Sequence, residues 1–291
     1  MPVPTHSTRS WLFVPGDDAA KLAKSCNSDA DVVIFDLEDA VSTDRKAAAR
    51  DLTAAALRAP CRPARYVRVN DLRTGQTAQD VAQTIGAAPD GYVLPKCEGP
   101  QDIEELAAII RAHAPATLPG ILAICTETVR GVRNLMRLDW AHPMLVGMTW
   151  GGEDLMADLG ATANRAADGA YRSPFSLARD LVLYAAKDAG VLAIDSVFTD
   201  FRDTPGLLAE AQTAAQIGFE GKMAIHPGQI GPIHEALSFD AAQIAWAERV
   251  IAALGASPAG VAQLDGKMLD APHLKLAEMI LRRSQAARAD R

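Results

Sequence analysis

The sequence predicts an α/β fold, a (β/α)8 TIM barrel followed by a C-terminal lid or arm, and three observations carry that expectation. Its apolar segments are short, continuous Val/Ile/Leu-rich runs, as in parallel strands covered on both faces rather than half-buried antiparallel ones. Six of them stop on a charged or hydrogen-bonding residue and lead into loop and helix: DVVIFDLED, RYVRVN, GYVLPK, GILAICTE, MLVGMTWGGED and GKMAIHP. The strand–loop–helix unit recurs roughly every 30 residues, and eight units fit a barrel better than an open sheet. In such a fold all strand C-termini face one side, so these charges converge whatever their separation in sequence.

The elements follow in order. Trp11–Val14 reads as the first strand, ended by Pro15-Gly16 and followed by a helical pattern through Lys21 and Lys24. Pro15-Gly16-Asp17 lacks the spacing of a dinucleotide-binding fingerprint, which argues against a doubly wound sheet. Asp31–Leu37 is the second strand, and Thr43 or Asp44 can cap the Ala-rich helix after it. Arg65–Asn70 and Gly91–Pro95 are the third and fourth; the helix from Gln101 to His113 carries an i, i+3, i+4 apolar stripe. Gly120–Cys125, Met144–Thr149, Leu192–Phe198 and Lys222–Ile225 complete the set, with helices at Ser176–Ala189 and Pro205–Gln216 between the later ones. The barrel is expected over residues 1–255. Residues 256–291 read as the lid or subunit-exchanged arm: a hinge at Ser257–Gly260, an extended piece at Val261–Leu269, and an amphipathic helix at His273–Ser284.

Composition bounds the function. The chain has 291 residues, 49% hydrophobic and 22% charged, within the range of one large globular domain. A formal charge of −7 argues against broad nucleic-acid binding but permits a local anion site. The four cysteines, Cys26, Cys61, Cys97 and Cys125, form no C-x-x-C pair and read as reduced thiols, Cys125 as core filler. There is no signal-peptide pattern at the N-terminus and no apolar run long enough to span a membrane, so a cytoplasmic, soluble protein is expected.

Glu127 and Asp154 each follow a buried strand, and carboxylates on neighbouring strand ends can share one ion. Oxygen ligands with room for water suit Mg2+; zinc is disfavoured without a Cys/His cluster. Arg68 alternates with Val67 and Val69 and can grip a carboxylate in bidentate fashion, or pair with Asp36 or Asp39 on the adjacent strand. Asp36, Glu38 and Asp39 together need a cation to offset their repulsion. Asp36 and Asp39 are placed with Arg68 and Glu127 at the substrate, and Asp36 has a purely structural alternative. Lys96 reads either as a Schiff-base lysine or as a residue that a metal pair makes unnecessary. His226 is a structural cap or part of the rim. Arg9, Lys21 and Lys24 are placed near the top of the first unit, as phosphate ligands or as solvated surface.

The ordered set RSWLFVPG (Arg9–Gly16), VIFDLEDAV (Val33–Val41), RVN (Arg68–Asn70), LPK (Leu94–Lys96), ETVRG (Glu127–Gly131), GGEDL (Gly151–Leu155), GKMAIHP (Gly221–Pro227) and GKMLDAP (Gly266–Pro272) resembles the citrate lyase β-subunit family within the HpcH/HpaI aldolase group. The resemblance implies a Mg2+-dependent lyase, a homotrimer or a dimer of trimers. Such enzymes cleave or form the carbon–carbon bond between an acyl-CoA thioester and a 2-oxo acid such as oxaloacetate, pyruvate or glyoxylate. It further implies Glu127 and Asp154 as metal ligands, Arg68 at the oxo-acid carboxylate, and Arg9 and Lys24 near the coenzyme A phosphates. Asp270 would be the acid–base residue of the lid, reaching a neighbouring subunit's site. Two alternatives stay open: a class II aldolase acting on free hydroxy-oxo acids, and a subunit acting on a thioester carried by an acyl carrier protein.

Overall fold

Strand alternation decides what this barrel encloses. The structure is a computed structural model and describes residues 8–255, 257 and 260–289. Eight parallel strands, β1 (Ser10–Pro15), β2 (Val32–Asp36), β3 (Ala64–Arg68), β4 (Gly91–Leu94), β5 (Gly120–Ile124), β6 (Leu145–Thr149), β7 (Leu192–Asp195) and β8 (Gly221–Ala224), close in sequence order into a barrel. Alternate residues Trp11, Val32, Ile34, Tyr66, Val93, Leu122, Ile124, Ile194 and Met223 pack together in its interior. Each such fully buried side chain contributes about 1.5–3 kcal/mol of transfer free energy, which closes the barrel as a core rather than a pore. Trp11 meets Tyr66 edge to face at 4.9 Å.

The helices around the barrel are α1 (Ala19–Ser25), α2 (Lys46–Arg58), α3 (Thr77–Thr84), α4 (Pro100–Ala112), α5 (Val129–Asn134), α6 (Gly152–Asp158), α7 (Ser173–Asp188), α8 (Thr204–Ile217) and α9 (Ile230–Leu237). In α4, Pro100 opens the first turn and Ile103, Leu106, Ala107 and Ile110 form the buried stripe. Between strands and helices, buried ions interrupt the apolar packing. Asp80 of α3 accepts from Arg50 of α2 at 2.6 Å and from the backbone and side-chain nitrogens of Asn70, at 2.7 and 2.8 Å. On the opposite side Asp195, next to the interior residue Ile194, points outward to Arg179 of α7 and Lys222 of β8. Lys222, fully buried, also reaches Glu210 of α8 at 2.9 Å. Burial would raise the Asp195 pKa, but Lys222 and Arg179 outweigh it and hold the carboxyl at about 2.

The chain divides into two compact units, Thr8–Ala236 and a second that begins at Leu237. In the second, α10 (Ala241–Gly255) packs on α11 (Ala271–Ala289) through Ala247, Val250, Leu254, Ala277 and Ile280. The expected hinge at Ser257–Gly260 lies partly outside the described residues, which exclude Pro258 and Ala259. The expected extended piece folds back on itself as a hairpin of β9 (Ala262–Leu264) and β10 (Lys267–Leu269). Its two-residue turn has φ of 50° at Asp265 and 76° at Gly266, the paired positive φ that an Asp-Gly hairpin turn requires. Among the described residues no helix is long and apolar enough to cross a membrane.

Candidate active site

The register of β1, β2 and β3 sets Pro15, Asp36 and Arg68 at one level, at the C-terminal end of the strands. Both Asp36 and Arg68 continue the inward-facing alternation of Val32–Ile34 and Ala64–Tyr66, so their side chains meet inside the mouth. Arg68 donates from Nε to Asp36 Oδ1 at 2.8 Å and from Nη2 to Oδ2 at 2.7 Å. Its Nη1 lies 2.9 Å from Glu38 and 3.7 Å from Asp39, and its guanidinium stands 4.9 Å above the Phe13 ring. A planar fork held by two parallel bonds on one edge is fixed in orientation.

The second half of the site centres on Lys96. The backbone of Lys96 has φ of 50°, a left-handed conformation that a residue with a side chain seldom adopts. That turn aims its N–H at Glu127 Oε2, 2.5 Å away, and its ammonium at Glu38 Oε1, 2.7 Å away. The same ammonium lies 3.3 Å from Asp154 Oδ1. The Lys96 carbonyl accepts from both Nη1 and Nη2 of Arg73 at 3.1 Å. Burial opposes charge on Lys96, but Glu38, Glu127 and Asp154 outweigh it and keep the pKa above the ordinary lysine value. A lysine so held is an ammonium, not the free amine that Schiff-base formation requires.

Glu127 is buried, and burial together with the charges of Glu38 and Asp154 pushes its pKa up to about 8. Glu38 is raised as well, by burial first. Gly151 makes room for Glu127: a Cβ there would stand 2.7 Å from Glu127 Cγ. The Gly151 N–H is anchored by Thr126 Oγ1 at 3.0 Å, which ties the ends of β5 and β6 together.

Asp36, Glu38, Asp39, Glu127 and Asp154 thus face Arg68 and Lys96, an excess of negative charge with oxygen donors throughout. Glu38 Oε2 is buried and has no hydrogen bond, since its contact with Arg68 has ion-pair distance but not hydrogen-bond direction. Among the described residues no three His, Cys, Asp or Glu side chains form a ligand group by themselves. Carboxylates on opposite sides of one lysine, with an orphaned carboxylate oxygen beside them, fit a hard divalent cation in donor type and charge. The Cys125 thiol is fully buried and held protonated by that burial and by Cys97, and so serves as core.

Arg9 and Lys24 lie away from the mouth, against expectation, and the other expected residues are distributed around it or in the second unit. Arg9 precedes β1 and binds Asp31, which precedes β2, at 2.7 Å through its backbone and 3.2 Å through Nε; Ser10 and His234 join this cluster. These residues lie at the N-terminal end of the barrel, opposite the mouth, so Arg9 is not beside Arg68 and Glu127. Lys24 is exposed, in the last turn of α1 as that helix runs away from the mouth. Asp36, expected at the substrate, has both oxygens filled by Arg68 and by the backbone N–H groups of Glu38 and Ala40; it positions the arginine. Asp39 is exposed at the rim. Glu153 turns away to Asn164. His226 caps the turn after β8 and stacks on Phe201 at 5.1 Å. Asp270 belongs to the second unit, at the start of α11, where it bonds His273 Nδ1 at 2.6 Å. The importance of Lys96 and Glu38 exceeds their sequence signal: only the positive φ, invisible in sequence, brings the lysine amide and ammonium to bear together.

The HpcH/HpaI aldolase/citrate lyase family model matches residues 9–227. The citrate lyase subunit beta-like protein of Mycobacterium tuberculosis is 40% identical over 282 residues, covering 96% of this chain and 97% of that protein. A (3S)-malyl-CoA thioesterase of Cereibacter sphaeroides is 35% identical over 98% of this chain and 97% of its own. The citrate lyase subunit beta of Escherichia coli is 33% identical over 97% and 94%. The crystal structure of M. tuberculosis CitE with magnesium, acetoacetate and coenzyme A superposes with a TM-score of 0.82 at 37% identity, covering 97% of this chain and 99% of that one.

Proposed function

The chain belongs to the HpcH/HpaI aldolase/citrate lyase family, and we propose that it is a Mg2+-dependent carbon–carbon lyase of the citrate lyase β-subunit type. Its proposed substrate is a 3-hydroxy-3-carboxyacyl-CoA thioester (citryl-, citramalyl- or malyl-CoA), cleaved to acetyl-CoA and a 2-oxo acid, or formed from them. The observation that carries this reading is the juxtaposition of an oriented guanidinium with an oxygen-only carboxylate set. The magnesium bound by the related CitE structure supports the cation.

In this reading Glu127 and Asp154 hold Mg2+, with Glu38 beside them. Bound Mg2+ would supply positive charge where the substrate's hydroxyl oxygen becomes anionic, worth several kcal/mol of barrier. Arg68, locked by Asp36, presents Nη1 to the oxo-acid carboxylate and fixes the bond to be broken against that charge. As the hydroxyl proton passes to water, the oxygen closes to the oxo-acid carbonyl while the carbon–carbon bonding pair moves onto the thioester α-carbon and leaves an enolate. Asp270 of a neighbouring subunit then returns a proton to that carbon; in synthesis the same carboxylate removes it. That role calls for an oligomer, for which a homotrimer or hexamer is the expectation, as is a cytoplasmic location.

The test is a cleavage assay of the purified protein with all three thioesters, following acetyl-CoA. We expect turnover of one substrate, abolished by EDTA and in Glu127→Ala, and absent in Asp270→Asn with Mg2+ binding intact. Full activity in Asp270→Asn would remove that residue from the mechanism. A second reading, hydrolysis of a malyl thioester, is favoured by the 35% identical thioesterase; free coenzyme A and malate in place of acetyl-CoA and glyoxylate would identify it.

A further inference from the structure

We propose that Lys96 is a fixed counter-cation that sets the charge preference of the acidic site, holding it toward divalent rather than trivalent ions. The inference rests on the reading of Glu127 and Asp154 as metal ligands, and deepens it. Lys96 touches three carboxylates at its two ends: Glu127 through its N–H, and Glu38 and Asp154 on either side of its ammonium. The other nearby cation, Arg68, is committed to Asp36 on two of its three nitrogens and stands 2.9 Å from Glu38 with the third.

The ammonium is not mobile surface charge. Lys96 is pinned at its carbonyl by Arg73, at its amide by Glu127 and at its Nζ by Glu38, on a backbone turned into the left-handed region. A conformation of that kind persists only where its surroundings over-determine it. The ammonium offsets one unit of the negative charge that these carboxylates present to a bound cation, beside the unit that Arg68 offsets at Glu38. Without it the site is one unit more negative, which favours an ion of higher charge. Coulomb energy scales with the product of charges, so deleting the ammonium strengthens attraction for a trivalent ion half again as much as for a divalent one. A lysine acting merely as a strut would behave differently: its loss would loosen the carboxylates and weaken both ions together.

The measurement is calorimetric titration of the full-length protein with MgCl2 and with LaCl3, for wild type, Lys96→Met, Lys96→Arg and Glu127→Ala, with circular dichroism to establish folding. We expect Lys96→Met to tighten La3+ over Mg2+ by about ten-fold relative to wild type, without weakening Mg2+. Lys96→Arg, which keeps the charge, should retain the wild-type ratio. This arm also keeps the test decisive if the methionine variant fails to fold: an arginine variant with a shifted ratio overturns the inference. An unchanged ratio in Lys96→Met, or Mg2+ weakened there, overturns it too. Mg2+ binding absent in wild type, or unaffected in Glu127→Ala, would instead overturn the metal reading beneath it.

Discussion

Arg68 and Asp36 show how one residue's chemistry is made by another's. The aspartate contributes no free oxygen to a ligand, yet it decides which nitrogen of the guanidinium faces the mouth. Asp36→Asn should therefore leave Mg2+ affinity near wild type while lowering kcat/KM by about 10–100-fold, the cost of a misplaced orienting group. Steady-state kinetics beside metal titration separate the two; equal loss of both would make Asp36 a determinant of the metal site. Sequence alone could pair these residues, because adjacent parallel strands with inward-facing alternation bring such charges together. It could not tell that the pair is closed on both sides, because that depends on the backbone N–H groups of Glu38 and Ala40 curling around the carboxylate.

At the scale of elements, the strands were legible because burial on both faces leaves an uninterrupted apolar record. Gly91–Pro95 was expected where Gly91–Leu94 forms, and Gly120–Cys125 where Gly120–Ile124 forms. The hairpin in the tail was missed although Asp265-Gly266 is a turn signal, because its flanking strands are only three residues each and carry little alternation. Helix α10 left no distinct signal, since its Ala-rich stretch resembles the helices of the barrel repeat; its partner is α11. Loops hold the remainder of the site, and there glycine carries geometry that residue type alone cannot reveal. Gly151 links β6 to α6 with its Cα pressed toward Glu127. Gly151→Ala should cost about 1–3 kcal/mol by overpacking and swing the Glu127 carboxylate away from Asp154. Thermal melts with and without Mg2+ check this: the stabilisation by Mg2+ expected of wild type should be lost, and a variant that keeps it would show that Glu127 has not moved.

At the scale of the molecule, the ions buried between strands and helices are separate from those at the mouth. The outward network of Asp195, Lys222, Arg179 and Glu210 joins β7 and β8 to α7 and α8. Asp195 is held at about 2, below the unfolded carboxylate value, so its contribution is complete above pH 4 and is lost as pH falls through 2. Asp195→Asn should remove about 3–5 kcal/mol at neutral pH by leaving Lys222 and Arg179 short of an anion, and should flatten the acid limb between those values. Urea unfolding across pH 2–7 measures both, and an unchanged acid limb would exclude Asp195 as its source. The charges proposed for catalysis, by contrast, come from one arc of the mouth, from the end of β2 round to the start of α6, while the loops after β7 and β8 set Val197, Phe201 and Ile225 among Asp200, Arg202, Asp203 and His226. The opening is therefore uneven, with a tight cluster of paired acids and bases along one side and a mixed surface along the other. A small molecule carrying unlike groups on one carbon would meet the guanidinium, the acidic cluster and the opposite arc as three unlike contacts, and three such contacts are what tell a carbon centre from its mirror image.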